Sequence, residues 1–551
     1  MHPCRSLSLV LILATCGVAG AETEVVRARA VEAPTVVAPE AFNPTLAATE
    51  MEQLFARLAA VEPEARSVID LGPLSTVEEA VLRGDEAIES RRLLVGIDRQ
   101  VGMTVDLASL DHSRADKVSA IGELTNLPDG SVVWSMSFRS PGATAVRAHL
   151  SDVALPPNAG LYVYSPFGEA FGPYTGRGTG DRNELWTNTV AGDQITVQLE
   201  LGAPVDREAL YESYFVVESI GHMGDRFELA RWRQDVATKS FCNGSGGGPA
   251  NASCVQNASC SSLPSAIQGA TGAIAEMLFA SGSSYYICTG GLLNNTQSTF
   301  APYFLTANHC ISNSNEASSL ETYWDFTAPC GTTACGYAWD GGRATPGASI
   351  LSGSSTSDYT LLQLASIPSG RTFLGWTSAA VAYSNGAGLH RISHPSGAPQ
   401  AYSTQAVNTS AGTCGSWPRG NWIYSRDTYG ATEGGSSGSP VMNSSGQVVG
   451  QLSGACGTNL NDVCDSTHNA TVDGAFANYY SNVAQWLDPS GGCIPSTEVC
   501  DGVDNDCDGQ IDEDGVCGGG CTLGQTGDSC SSNSDCCSNR CRGRRNRKTC
   551  R

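Results

Sequence analysis

The chain has 551 residues, too many for one ordinary domain, so three or four units are expected. Glycine is abundant at 62 residues and charged residues make up only 16%, which suits loop-rich β structure and argues against helical bundles. A net charge of −23 disfavours nucleic acid as a partner, because phosphate binding needs a basic footprint, and 22 cysteines point to an oxidising compartment with a disulfide framework.

Residues 1–21 read as a secretory signal peptide. Arg5 supplies the positive charge, residues 7–14 form an apolar run, and Ala19-Gly20-Ala21 offers the cleavage site. The run is too short to span a membrane as a helix. Residues 22–100 are polar and carry helical periodicity, with Met51, Leu54, Phe55, Leu58 and Val61 on one face. Residues 101–222 alternate instead, as in Val132-Val133-Trp134-Ser135-Met136-Ser137-Phe138, Gly160-Leu161-Tyr162-Val163-Tyr164 and Gln194-Ile195-Thr196-Val197-Gln198-Leu199. Closely spaced glycine and proline punctuate them, which predicts a β-sandwich. This stretch has no cysteine, unlike everything after it, so it reads as a separate domain.

Residues 223–255 form a junction, in which Arg231, Arg233 and Lys239 precede the Gly/Ser/Asn/Pro-rich segment 243–253. Exposed basic residues beside a flexible linker suit proteolysis, and cleavage is expected near Lys239-Ser240.

Residues 256–490 carry three stretches that acquire meaning together. Tyr303-Phe304-Leu305-Thr306-Ala307-Asn308-His309-Cys310 is a β-type run ending in histidine and cysteine. Ser357-Asp358-Tyr359-Thr360-Leu361-Leu362 places an aspartate at the start of a strand. Gly434-Gly435-Ser436-Ser437-Gly438-Ser439-Pro440 crowds small residues around a serine. A serine hydroxyl needs a base to become a nucleophile, and the glycines permit tight bends and close approach. The N–H groups of Gly435 and Ser437 are candidate donors to a developing oxyanion. The separations are 358 − 309 = 49 and 437 − 358 = 79 residues. The order His, Asp, Ser is that of chymotrypsin-like proteases, not of subtilisins or α/β-hydrolases. His309, Asp358 and Ser437 are therefore the expected catalytic residues; His390 and His394 lack a matching context and read as structural. Cys288 and Cys310 are expected to pair and anchor the histidine loop.

On these motifs the chain resembles secreted trypsin-like serine proteases, and among them the bacterial lysyl endopeptidase branch. Thr306-Ala307-Asn308-His309-Cys310 matches the histidine motif, with Asn308 where alanine or histidine is usual. Thr432-Glu433-Gly434-Gly435-Ser436-Ser437-Gly438-Ser439-Pro440 matches the serine motif, with Gly434 where the branch tends to have proline. The resemblance implies an all-β fold: a chymotrypsin-like double β-barrel, preceded by a β-sandwich propeptide and followed by small disulfide-rich modules. It also implies the pairs Cys254–Cys456 and Cys260–Cys330, leaving Cys242, Cys335, Cys414 and Cys464 unassigned.

The pocket for the residue before the scissile bond is expected to be walled by Thr432, Gly434, Ser453 and Gly454. Trypsin-type enzymes place an aspartate six residues before the nucleophile, and here that position is Ala431. The lysyl branch takes its carboxylate from a later strand, at a position that falls on Thr471. Asp473, two residues on and on the same strand face, is the expected substitute, with Asp465 and Asp462 as further candidates. Trp417 corresponds to a tryptophan that shapes the cleft in that branch. Residues 480–489 read as the closing helix, in which Trp486 and Leu487 pack on the barrel.

Residues 491–518 are acidic and cysteine-rich. Asp504, Asp506, Asp508, Gln510 and Asp512 have the spacing of oxygen ligands in a calcium loop, although position twelve is Gly515 where glutamate is required. Residues 519–551 form a basic, knottin-like module with cysteines at 521, 530, 536, 537, 541 and 550. Its arginines are suited to an anionic cell surface. The expectation is a secreted, monomeric serine endopeptidase acting on proteins or peptides, with no cofactor in catalysis. The rival is a catalytically silent, surface-binding protein on the same fold, against which the intact His-Asp-Ser set argues.

Overall fold

The computed structural model describes residues 30–61, 67–83, 92–110, 122–178, 183–205, 207–227, 251–330, 346–489, 541–544 and 547–550. Strands dominate them. The first long helix, Pro44–Ala59, starts where Asn43 accepts a hydrogen bond from Leu46 N at 3.1 Å, with proline at its first turn. Its apolar stripe works as the periodicity predicts: Leu58 is fully buried against Tyr164 and Ala170, with Leu54 and Phe55 beside it. Val61 lies past the helix end.

Helix and strands pack onto the predicted sandwich. One sheet contains Val68–Asp70, Glu123–Asn126, Val132–Arg139, Gln194–Leu201, Ala159–Tyr164 and Ala170–Tyr174. The other contains Ala145–Ala154, Tyr214–Met223 and Leu93–Asp106, with Leu185–Trp186 and Val190–Ala191 on the flank of Ala145–Ala154. Trp134, Phe138, Leu150, Val163, Val197 and Phe215 fill the shared core. Burying such apolar faces on both sheets is what makes the alternating pattern a sandwich.

The strand Leu93–Asp106 runs through residue 100, where composition led us to expect the sandwich to begin. It pairs with Tyr214–Met223 along most of its length, and its first residues also pair with Ser284–Leu292. One sheet therefore continues from the N-terminal sandwich into residues 256–490, the expected catalytic unit.

The catalytic unit has two halves. Among the described residues the first carries six strands, in the order Glu321–Trp324, Ile274–Ser281, Ser284–Leu292, Tyr303–Ala307, Tyr359–Leu364 and Ala348–Ser354. Its leading hairpin turns over Gly282 and Ser283, and Gly282 at φ +61° supplies the left-handed backbone that so tight a turn needs. The second half closes on itself: Pro440–Asn443, Val448–Gly457, Asn469–Ala475, Trp422–Tyr429, Ala401–Val407 and Gly388–Ser393 pair in a ring that returns to Pro440–Asn443. Closure leaves the ring without open strand edges. Short N-terminal strands, Glu32–Ala33 and Val36–Val37, lie on the segment between the halves, against Trp376–Thr377 and Thr372–Phe373. The closing helix is Phe476–Leu487, starting four residues earlier than expected; Leu487 is buried and Trp486 packs on the same core.

Among the described residues, four disulfides brace this unit. Cys288–Cys310 and Cys260–Cys330 are as expected. The expected Cys254–Cys456 pair does not form: Cys254 bonds Cys464, and Cys456 bonds Cys414. Cys456 faces a cluster of Ala411, Trp422 and Tyr424 against which Cys414 also packs, so its partner lies on its own barrel face. Cys254 sits instead in a small cluster with Val255, Ala401 and Ala431. Of the last module, the hairpin Cys541–Arg544 with Arg547–Cys550 is described. The acidic loop from Asp504 to Asp512, the other module cysteines, the signal segment and the Lys239-Ser240 junction lie outside the described residues.

Candidate active site

His309 lies two residues past the strand Tyr303–Ala307, in a turn pinned by the Cys288–Cys310 disulfide. Asp358 holds it at two points. Its Oδ1 accepts from the His309 backbone N–H at 2.8 Å and its Oδ2 faces His309 Nδ1 at 2.7 Å. A carboxylate accepts only, so Nδ1 carries the proton and Nε2 is left as the basic nitrogen. That Nε2 is buried and makes no hydrogen bond. Asp358 is 3% exposed and adopts φ +51°, an unusual backbone for a residue with a side chain. It is fixed there by Gln451, whose Nε2 donates to the carbonyls of both Ser357 and Asp358 at 3.0 Å.

The serine loop is pressed against the strand that carries His309. A Cβ on Gly438 would stand 2.2 Å from Thr306 Oγ1 and 2.5 Å from the Thr289 carbonyl, so only glycine fits there, and its φ is +83°. The Ser437 carbonyl accepts from Thr289 N at 2.8 Å and lies 3.8 Å from Cys310 Sγ, next to His309 in the chain. The loop thus brings the Ser437 backbone to the disulfide that anchors His309.

Carbonyl anchors also set the direction of the two candidate oxyanion donors. The Gly434 carbonyl accepts from Ser396 N at 2.6 Å, and the Ser436 carbonyl accepts from Ser439 N at 3.1 Å. In a trans peptide the N–H points opposite the carbonyl, so the Gly435 and Ser437 N–H groups are each turned away from those anchors. Such fixed donors stabilise developing negative charge without reorganising.

Around the loop, Thr432 is half-buried, Gly434 exposed and Ser453 buried. Trp417 lies over Gly454, 3.7 Å from where a Cβ there would be, and stacks on Trp422. Glu433 accepts from Ala252 N, Asn251 Nδ2 and Ser396 Oγ, tying the end of the junction to the serine loop.

Asp473 does not present a carboxylate to a pocket. It is fully buried and bonded to the equally buried Arg391 at 2.6 Å, and Arg391 in turn donates to Ser439. The expectation followed the strand alternation correctly but could not see the guanidinium that neutralises the acid. Asp465 and Asp462 stabilise the turn 457–468, through His468 and Asn459 and through Cys464 N respectively. A carboxylate that motif reasoning missed stands beside Thr471: Asp427 Oδ1 accepts from Thr471 Oγ1 at 3.1 Å. Burial pushes its pKa up to about 6, against hydrogen bonds from Thr471 and Gln405. The cue was an acid two residues from Ser425, which pairs with Thr471 across the barrel, and that neighbourhood becomes visible only once the register is known.

His394 is buried, stacks on Phe326, and donates from Nδ1 to the Ala398 carbonyl; burial lowers its pKa to about 4. His390 meets the Tyr402 hydroxyl. Both behave as packed histidines. The sulfur atoms of Cys288 and Cys310 cluster with His309, but they are joined in a disulfide and offer no thiolate to a metal.

Two family models match the chain: the lysyl endopeptidase N-terminal domain over residues 72–223 and the lysyl endopeptidase C-terminal domain over residues 249–470. The lysyl endopeptidase of Pseudomonas aeruginosa is 29% identical over 345 residues, covering 60% of this chain and 70% of that protein. Among solved structures, the HtrA-type protease AlgW with a tripeptide is similar at a TM-score of 0.28 and 14% identity, over 41% of this chain and 63% of that one. The inactive form of the Rv3671c protease is similar at a TM-score of 0.28 and 15% identity, over 40% of this chain and 92% of that one.

Proposed function

Because the chain is a lysyl endopeptidase-like serine endopeptidase, we propose that it is secreted and cleaves after lysine or arginine through an acyl-enzyme on Ser437. Ser437 Oγ attacks the peptide carbonyl as His309 Nε2 takes its proton. The Gly435 and Ser437 N–H groups receive the oxyanion. The intermediate collapses, His309 passes the proton to the leaving amine, and water repeats the sequence on the ester. Asp358 keeps the proton on Nδ1 and stabilises the imidazolium. The observation that carries this reading is the two-point hold of Asp358 on His309, which leaves a buried, unpartnered Nε2 on the residue next to Cys310, itself packed against the Ser437 carbonyl.

Asp427 is the carboxylate we assign to a basic side chain before the scissile bond. It is half-buried and sits beside Thr471, and burial raises its pKa, so a substrate cation placed against it favours its charged form. The region before the junction serves as a propeptide released by cleavage near Lys239-Ser240. The acidic module takes calcium through Asp504, Asp506, Asp508, Gln510 and Asp512, and the basic tail contacts anionic cell surface; the sequence spacing and the arginine content support these two roles.

Sequencing the products of a mixed peptide library tests the reading. The expected result is cleavage after Lys and Arg by wild type and none by Ser437→Ala. Cleavage spread over uncharged residues removes the basic preference, and no cleavage removes the protease reading.

A further inference from the structure

The strand Leu93–Asp106 makes a contact that the catalytic reading leaves unexplained. Its first residues pair antiparallel with the catalytic unit, Leu93 opposite Ile287, Leu94 opposite Tyr286, Gly96 opposite Tyr285 and Ile97 opposite Ser284. The other edge of Ser284–Leu292 is taken from Ser284 to Gly291 by Ile274–Ser281. Residues 284–287 would thus offer an open strand edge without this partner, and an open edge is a binding site for extended peptide.

Polarity distinguishes what kind of peptide. Ile287 precedes Cys288, which is bonded to the neighbour of His309, so the Ile287 end of the edge is the catalytic end. The pairing is antiparallel, so the N-terminal strand starts at the catalytic centre and runs away from it. A substrate segment that follows a scissile bond has this direction, since its first residue carries the leaving amine. Leu93 fits the placement: a Cβ on Gly434, next to the proposed oxyanion donor Gly435, would stand 3.8 Å from Leu93 Cβ.

The residue before Leu93 enters a built site. Arg92 Nε donates to the His309 carbonyl, and Nη1 donates to Ser281 Oγ at 2.7 Å and to Glu316 Oε1 at 2.8 Å. Its guanidinium stands 5.6 Å from the Phe279 ring centre and 5.7 Å from that of Tyr286. The Glu316 side chain is only 4% exposed and is held by Ser281 Oγ at 2.7 Å and by the N–H and hydroxyl of Ser312. Burial opposes its charge, but the bonds from Ser312 and Ser281 and the Arg92 cation outweigh it and hold the carboxyl below its ordinary pKa. A buried, pre-oriented carboxylate with aromatic walls recognises a cation.

We propose that Glu316, Ser281, the His309 carbonyl and the Tyr286 ring form a subsite for a basic residue immediately after the scissile bond, and that the strand beginning at Leu93 blocks the leaving-group side of the cleft by placing Arg92 in it. The proposal rests on the serine endopeptidase reading and deepens it. Charge-assisted contacts to a buried acid imply a preference for Arg over Ala of about tenfold or more.

Fluorogenic peptides identical up to the cleaved bond and carrying Arg, Lys, Ala or Glu after it supply the test. The expected order of kcat/KM is Arg and Lys above Ala, with Glu lowest, and in Glu316→Gln the Arg-to-Ala ratio falls toward one. In the intact chain, Arg92→Ala is expected to raise turnover of the Arg peptide severalfold, because the internal occupant is weakened. Equal cleavage of the Arg and Ala peptides by wild type overturns the subsite and leaves the protease reading standing; no cleavage of any peptide overturns both. Should Glu316→Gln fail to fold, the wild-type peptide series decides alone.

Discussion

A single carboxylate does two jobs at His309, fixing its backbone N–H and its Nδ1. Asp358→Asn can keep the shape and lose the tautomer, since an amide N–H facing Nδ1 forces the proton onto Nε2. A kcat loss of about 10⁴ with an unchanged melting temperature is expected; a loss below tenfold would mean that Asp358 only props the loop. Asp427 is read by pH. Its folded pKa, raised by burial to about 6, lies above its ordinary value. Ionisation therefore costs stability as pH rises through about 6, so Asp427→Asn is expected to stabilise the protein at pH 8 and to do little at pH 4. The wild-type ratio of Lys to Leu cleavage is expected to rise through the same pH, because the ratio cancels every pH effect the two substrates share; a flat ratio removes Asp427 from the pocket. At this scale the sequence was most legible where chemistry is local. His309, Asp358 and Ser437 each sit in a short motif. Asp427 does not, and Asp473 sat on a face correctly inferred but occupied by an arginine 82 positions away.

Elements were legible where one periodicity governs them. The stripe of Leu54, Phe55 and Leu58 and the alternation of residues 132–138 became the helix Pro44–Ala59 and the strand Val132–Arg139. What escaped depends on long-range pairing. The run Leu93-Leu94-Val95-Gly96-Ile97 shows no clean alternation, because its strand is covered by the sandwich and the catalytic unit together. Cys254 could not be matched to Cys464 because a cysteine's spacing says nothing about which barrel face it lands on. The serine loop yields the prediction at this scale. Gly438→Ala places a methyl 2.2 Å from Thr306 Oγ1 on a backbone that disfavours side chains. A displacement near 1 Å costs roughly 10² in rate, so activity is expected to fall at least that far and stability with it. Near-normal turnover in this variant would mean that the loop is not packed as described. Gly434, with nothing closer than 3.8 Å, is expected to accept alanine without loss of stability.

Across the whole molecule, the sandwich and the catalytic unit share a sheet and bury histidines in the neutral form. His394 and His222 both have pKa values lowered to about 4, chiefly by burial. As pH falls below about 6.5 the unfolded chain binds protons that the folded chain refuses until about 4. Stability is therefore lost through that window, by about 3 kcal/mol for each fully titrated histidine. The urea midpoint is expected to drop between pH 7 and pH 5, and the drop to shrink in His394→Gln; an identical drop in that variant would show that His394 is not held neutral. The most direct measurement is mass spectrometry of the purified protein after exposure to a peptidyl phosphonate ester. One adduct on Ser437, absent in Ser437→Ala and much slower to form in His309→Ala, is the expected result. A wild type that stays unlabelled, or an adduct that survives in Ser437→Ala, contradicts the assignment of His309, Asp358 and Ser437 as one catalytic set.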